Sequence, residues 1–193
     1  MEPIFTVDWF TGNIPIWSKV LNEFRDREVH GLEIGSFQGR STRWLLENIL
    51  THENSKITCV DTFEGSKPYT DGIDGGLLEL FQHNTAPFKD KVIIYQGKSQ
   101  ICLRDIRDKF DFVYIDGDHD AAPTLEDAVL SFRLLKFGGI MIFDDYLWDG
   151  GRGEYCNPKK GIDAFLSAYN NQLVILHNNY QLIVRKISYL GIV

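Results

Sequence analysis

Two short apolar runs that each stop on aspartate, separated by one helical period, constrain this chain more than any other feature. Phe110 to Ile115 reads FDFVYI and stops at Asp116, and Ile140 to Phe143 reads IMIF and stops at the pair Asp144, Asp145. Between them Leu125, Val129, Phe132 and Leu135 recur at the spacing of one helix face, and Gly138 and Gly139 stop that helix. The unit reads as strand, helix, strand, and such a crossover sets both strands parallel in one sheet. If the strands are neighbours their ends lie roughly 5 Å apart, so Asp116, Asp144 and Asp145 converge on one edge.

Crowded carboxylates repel, and each rises in pKa unless a cation or hydrogen-bond donors compensate. A hard divalent ion is the simplest compensation, because several carboxylate oxygens can share one Mg²⁺ or Ca²⁺. A single strand-end aspartate reads more simply as a cap or a turn residue. Three at one edge favour a functional site.

Length and composition set the frame for such a site. At 193 residues the chain is most simply one domain, residues 1–193, with an aromatic N-terminal segment over 1–28. Hydrophobic residues at 44% and charged residues at 24% are those of an ordinary globular protein. A net charge of -7 argues against a surface that tracks nucleic-acid phosphates, so no nucleic-acid partner is expected. No apolar run has the length of a membrane span, and the first residues do not read as a signal peptide, so the expected compartment is the cytoplasm. Cys59, Cys102 and Cys156, odd in number and widely spaced, read as reduced thiols, with Cys59 in the core. Self-association as a homo-oligomer is left open.

Taken in order, the chain begins with an aromatic-rich stretch in which Pro15 suits a first helical turn and Ile16, Val20, Leu21 and Phe24 form an apolar stripe. Trp9, Phe10 and Trp17 individually read as packing; together, ahead of the first strand, they read as a lid over a ligand. A strand near Val29 to Ile34 runs into Gly35 and Gly39, and a helix follows at Trp44, Leu45 and Ile49. Glycines at such a turn let backbone approach a ligand, and the following helix start adds N–H donors. The spacing is GxxxG with Phe37 in the middle, which is not the dinucleotide fingerprint. The next strand, KITCVD, closes on Asp61, placed to accept hydrogen bonds from ribose hydroxyls with Phe63 as an apolar wall.

Glu64 to Gly76 reads as loop, Leu77 to Phe81 as helix, and VIIYQG as a third strand. Gly97, Lys98 and Ser99 follow it, either flanking a purine or simply turning the chain. The glycine-rich loop after Trp148 leaves the acidic edge directly, so Arg152, Tyr155 and Lys159 are candidate substrate contacts. A helix over Ile162 to Tyr169 comes next. Two final strands, joined through Asn178 and Asn179, form an antiparallel hairpin. His119, three residues past Asp116, reads as a general base for an acceptor proton, since imidazole titrates near neutrality; the alternative is a histidine that stabilises the acidic loop.

LEIGSFQGRST, VDTFEG, YIDGDH, GGIMIFDDYLW and GIDAFL together resemble the class I S-adenosylmethionine-dependent methyltransferases. Within them the chain is similar to the small methyltransferases of the macrocin and cephalosporin clusters and to the metal-dependent catechol and caffeoyl-CoA O-methyltransferases. The resemblance implies an α/β fold: a doubly wound, seven-stranded Rossmann-like sheet, mostly parallel, with an antiparallel C-terminal hairpin strand. It implies S-adenosyl-L-methionine as cofactor, held by Glu33, Gly35, Ser36, Gly39 and Ser41 at the turn. Asp61, Thr62 and Phe63 would lie at the ribose, Gly97 and Ser99 by the adenine, and Asp116 near the methionine moiety. It also implies Mg²⁺ or another divalent cation on Asp116, Asp144 and Asp145, with Asp116 and His119 catalytic. The catechol enzymes carry Asn where this chain has Asp145, and the general glycine motif has Gly where it has Phe37.

The reading is therefore a divalent-metal-dependent O-methyltransferase of a small hydroxylated molecule. A metal-independent enzyme of the same fold and a non-catalytic nucleotide-type binding protein are its rivals. A nicotinamide dehydrogenase is disfavoured by the glycine spacing and the terminal hairpin.

Overall fold

A computed structural model of the chain describes residues 2–65, 76–148 and 157–187. Its seven strands form one sheet in the order β3-β2-β1-β4-β5-β7-β6. This is the doubly wound, mostly parallel sheet with an antiparallel strand near its C-terminal end that the sequence leads one to expect. The chain falls into two compact units, Met1–Lys98 and Ser99–Val193. No helix among the described residues is long and apolar enough to cross a membrane.

The first unit carries β1 (His30–Ile34), β2 (Lys56–Asp61) and β3 (Val92–Gln96), with β2 paired in parallel to both others. Their near-continuous apolar sequence fits strands covered on both faces, and β1 and β2 are buried along most of their length. Helix α1 (Ile14–Val20) begins with Pro15 in its first turn, where the missing N–H costs nothing. Helices α2 (Arg40–Asn48) and α3 (Leu77–Thr85) follow β1 and β2. Phe10 and Trp17 are core residues, stacked edge-on at 4.8 Å and both close to Trp44. Burying side chains of this size contributes about 2–3 kcal/mol each. Trp9 alone of the three is exposed, at 55%, with its ring 5.4 Å from that of Phe37. The segment before it is pinned by side chains: Asn84 accepts the Ile4 N–H at 2.7 Å and donates to the Ile4 and Gln38 carbonyls, both at 2.8 Å.

In the second unit β4 (Phe110–Ile115) pairs in parallel with β5 (Leu135–Phe143). Strand β7 (Leu182–Lys186) runs antiparallel to β5, and β6 (Leu173–Asn178) antiparallel to β7. Helices α4 (Ser99–Asp105), α5 (Ala121–Leu134) and α6 (Pro158–Tyr169) complete it. Three boundaries differ from the sequence reading. Helix α5 ends at Leu134, and Leu135 is already extended and paired with Phe110. Lys186 supplies the reason: its buried ammonium donates to the Phe132 and Leu135 carbonyls at 2.8 Å each, satisfying the helix end before the glycines are reached. Gly138 and Gly139 instead sit inside β5, beside a register shift between Phe110 and Phe112. A Cβ on Gly139 would meet the Asp111 carbonyl at 2.8 Å. Helix α6 starts four residues earlier than expected, because Pro158 opens it. In the hairpin, Asn178 still pairs with Leu182, so the turn is Asn179 to Gln181 and neither asparagine takes a left-handed conformation.

Candidate active site

The glycine turn of the first unit is built around two buried or half-buried acids. Glu33 is fully buried and receives the side-chain hydroxyls of Ser41 at 2.6 Å, Ser36 at 3.1 Å and Thr42, with the Cys59 thiol at 3.7 Å. Burial raises its pKa, and the bonds from Ser41, Thr42 and Ser36 oppose the rise. Its role here is to fasten β1 to the first turn of α2. Asp61 collects backbone donors: Oδ2 accepts the Ser36 and Phe37 N–H groups at 2.7 and 2.8 Å, and Oδ1 accepts the Phe63 N–H at 2.7 Å.

Phe37 and Phe63 are both left-handed, at φ 46° and 55°, a conformation that costs a residue with a Cβ about 1–2 kcal/mol. The Asp61 carboxylate offsets that cost. The position where the general motif has glycine therefore keeps a glycine-like backbone although it holds Phe37. Gly39, at φ 78°, leaves no room for a side chain, since a Cβ would lie 2.9 Å from the Phe81 ring. Asp61 Oδ1, with one protein donor, retains acceptor capacity for a hydroxyl. Phe63 packs on Phe81 at 5.2 Å. The Thr62 hydroxyl accepts the Glu64 N–H at 3.3 Å, and Gly97 donates its N–H to the Asp61 carbonyl at 2.8 Å.

The acidic edge lies in the second unit. Because Ile115 pairs with Phe143, Asp116 follows β4 beside the point where Asp144 and Asp145 follow β5. Asp144 is buried, and its Oδ2 is 2.5 Å from the Tyr114 hydroxyl. Burial is the first cause of its raised pKa and the Asp145 charge the second. Tyr114 also lies 2.8 Å from Asp116, and burial holds its phenol protonated well above the usual range. Asp145, left-handed at φ 56°, donates its N–H to Asp144 Oδ1 at 2.9 Å. Its Oδ2 is 2.7 Å from His119 Nε2, and this bond raises the imidazole pKa against the lowering effect of burial. Trp148 stands 4.8 Å from the His119 ring.

Donor atoms of Asp116, His119 and Asp145 all lie within 4.8 Å of one another. The sequence reading placed Asp144 in this set and His119 apart from it as a base; the structure brings His119 in and engages Asp144 with Tyr114. Tyr114 was missed, although it lies in β4 two residues before Asp116, the spacing at which extended chain turns both side chains to one side. Ser99, expected near the cofactor, opens α4. Lys159 is taken up by the Tyr146 hydroxyl at 3.1 Å and by Asp163, and Arg152, Tyr155 and Cys156 lie outside the described residues.

Comparison with known proteins gives these features a family. The family described as a methyltransferase domain matches residues 32–146. Caffeoyl-CoA O-methyltransferase of Populus kitakamiensis is 30% identical over 125 residues, covering 62% of this chain and 47% of that protein. The chain spans about half the length of the curated relatives it matches. Among solved structures, the O-methyltransferase from Bacillus cereus in complex with SAH has a TM-score of 0.66 at 18% identity, covering 95% of this chain and 84% of that one. The MycE methyltransferase of the mycinamycin pathway, in complex with Mg and SAH, has a TM-score of 0.64 at 17% identity, covering 97% and 51%. These likenesses show the fold, and the match over residues 32–146 takes in the turn at Gly35, Asp61 and the whole acidic edge. The chain belongs to the methyltransferase domain family, on the fold of the class I S-adenosylmethionine-dependent enzymes.

Proposed function

We propose that the chain transfers a methyl group from S-adenosylmethionine to a hydroxyl of a small molecule, with a divalent cation at the acidic edge. One observation carries this reading: the donor atoms of Asp116, His119 and Asp145 lie within 4.8 Å of one another at the ends of β4 and β5, in a methyltransferase-domain chain. Two carboxylates are oxygen donors that hard divalent ions accept, and the imidazole stands beside them to take a proton, so the residues present fit such an ion. When bound, the cofactor supplies an activated methyl group and the cation lowers the pKa of the acceptor hydroxyl. Asp61 would take the ribose hydroxyls through Oδ1 while its Oδ2 keeps the turn in place. Asp116 and Asp145 would hold the cation, and His119 would receive the acceptor proton. Methylation of the acceptor oxygen would leave its proton on the His119 imidazole, with the demethylated cofactor as the second product. A small acceptor rather than a nucleic acid accords with the net charge of -7.

A second reading, the same reaction without a metal, has an observation of its own. Asp116, Asp144 and Asp145 each already have a hydrogen-bonding neighbour: the Tyr114 hydroxyl stands between Asp116 and Asp144, and His119 and Tyr180 hold Asp145. Mutual repulsion alone therefore does not demand a cation. Methyl transfer from labelled S-adenosylmethionine to phenols, vicinal diols and sugar hydroxyls, with Mg²⁺ and then with a chelator, separates the two. Product that chelation abolishes supports the metal reading, product that survives chelation supports the second, and a cofactor-bound chain that methylates none of these classes counts against both.

A further inference from the structure

We propose that Tyr180, on the turn between β6 and β7, is a positioning residue for Asp145 that aims one oxygen of this carboxylate at the cation. The proposal rests on the reading of the acidic edge as a cation site. Its geometry comes from four restraints on a single strained residue. Asp145 sits in the left-handed region, where a side-chain-bearing residue persists only when its surroundings over-determine it. Its N–H is fixed on Asp144 Oδ1, and its carbonyl accepts the Trp148 N–H at 3.0 Å. Its two carboxylate oxygens are then divided between different elements. Oδ1 accepts the Tyr180 hydroxyl at 2.7 Å, and Oδ2 faces His119 at 2.7 Å.

The turn that carries Tyr180 is itself tied down. The Tyr146 N–H donates to the Tyr180 carbonyl at 2.9 Å, so main chain and side chain of Tyr180 both bind the loop after β5. Asn179 fixes the turn from within, its Oδ1 accepting the Tyr180 N–H at 2.9 Å and its own N–H reaching the Gln181 carbonyl at 3.0 Å. Tyr180 is 46% exposed, and an exposed phenol has water available as a partner. Here the hydroxyl is instead directed onto Oδ1 of a carboxylate, which turns Oδ2 toward His119, its neighbour in the cluster with Asp116. Groups that hold the outer oxygen of a ligating carboxylate set its orientation, and their loss weakens metal affinity by about 10- to 100-fold.

The test is Mn²⁺ binding to the full chain, read by electron paramagnetic resonance or calorimetry, in wild type and Tyr180→Phe. The phenylalanine keeps the ring and both main-chain bonds, and melting in chelator checks that the variant is folded. The expected result is binding weaker by about 10- to 100-fold in Tyr180→Phe, with the melting point in chelator little changed. Wild type and Tyr180→Phe binding Mn²⁺ equally would overturn the positioning role while leaving the cation site standing. Wild type that binds no Mn²⁺ would overturn both, which distinguishes the two failures.

Discussion

Tyr114 sets one hydroxyl between two carboxylates, 2.8 Å from Asp116 Oδ2 and 2.5 Å from Asp144 Oδ2. A phenol has one proton to donate, so both short contacts are hydrogen bonds only when one of the acids is itself protonated. Burial and the neighbouring Asp145 charge, which push the Asp144 carboxyl up, favour that arrangement. Tyr114→Phe leaves the buried Asp144 carboxyl without the hydroxyl that partners its Oδ2. It should cost about 1–3 kcal/mol in denaturant unfolding with chelator present, the scale of an unmet buried polar group. An unchanged unfolding midpoint would mean that Asp144 does not depend on this hydroxyl.

His119→Ala tests the base. Turnover should fall by about 100-fold while S-adenosylhomocysteine affinity stays at the wild-type value. If instead the melting point drops in step with turnover, the pairing with Asp145 and Trp148 is structural.

Asp127 makes a pH prediction away from the site. It is fully buried in α5, with Oδ1 accepting Gln100 Nε2 at 3.1 Å and Oδ2 without a hydrogen-bond partner among the described residues. Burial raises its pKa from 3.8 to about 7, and the nearby Ser99 side chain opposes the rise without cancelling it. Because the folded-state pKa lies above the unfolded one, the folded chain holds this proton more tightly. The contribution is complete below about pH 3.8 and is lost as pH rises through about 7. A rise of this size corresponds to at most about 4 kcal/mol. Asp127→Asn should remove that component: little effect near pH 4, and a higher melting point than wild type at pH 8. Identical pH slopes for the two proteins would show that Asp127 does not titrate as described.

Gly39→Ala should destabilise the first unit by at least about 1–2 kcal/mol, combining left-handed strain with the contact at 2.9 Å on Phe81. Thermal melting measures it, and a variant as stable as wild type would mean that the turn relaxes freely.

How much of this was open to reading in the sequence depends on how local each signal is. The strand ends at Asp61, Asp116 and Asp144 were legible because apolar runs stop abruptly there, and Gly35 and Gly39 marked the turn. Phe37 was not legible as a left-handed residue: its backbone is set by Asp61, 24 residues on. Leu135 fitted the helix period, but Lys186, 51 residues away, ends the helix before it. Tyr180 reaches Asp145 only through the register of β7 on β5, which no periodicity within either segment encodes. Asp127 stands in a polar stretch of α5 that carries no local sign of burial; packing alone buries it.

The most direct test of the account is a calorimetric titration of S-adenosylhomocysteine into the folded chain and into Asp61→Ala, each first checked by its melting curve. Wild type should bind, and the variant should bind more weakly by about 2 kcal/mol, roughly 30-fold, the scale of a charge-assisted hydrogen bond to the cofactor. A folded wild type without measurable affinity, or a folded Asp61→Ala that binds as well as wild type, would contradict the assignment of the glycine turn and Asp61 to the cofactor.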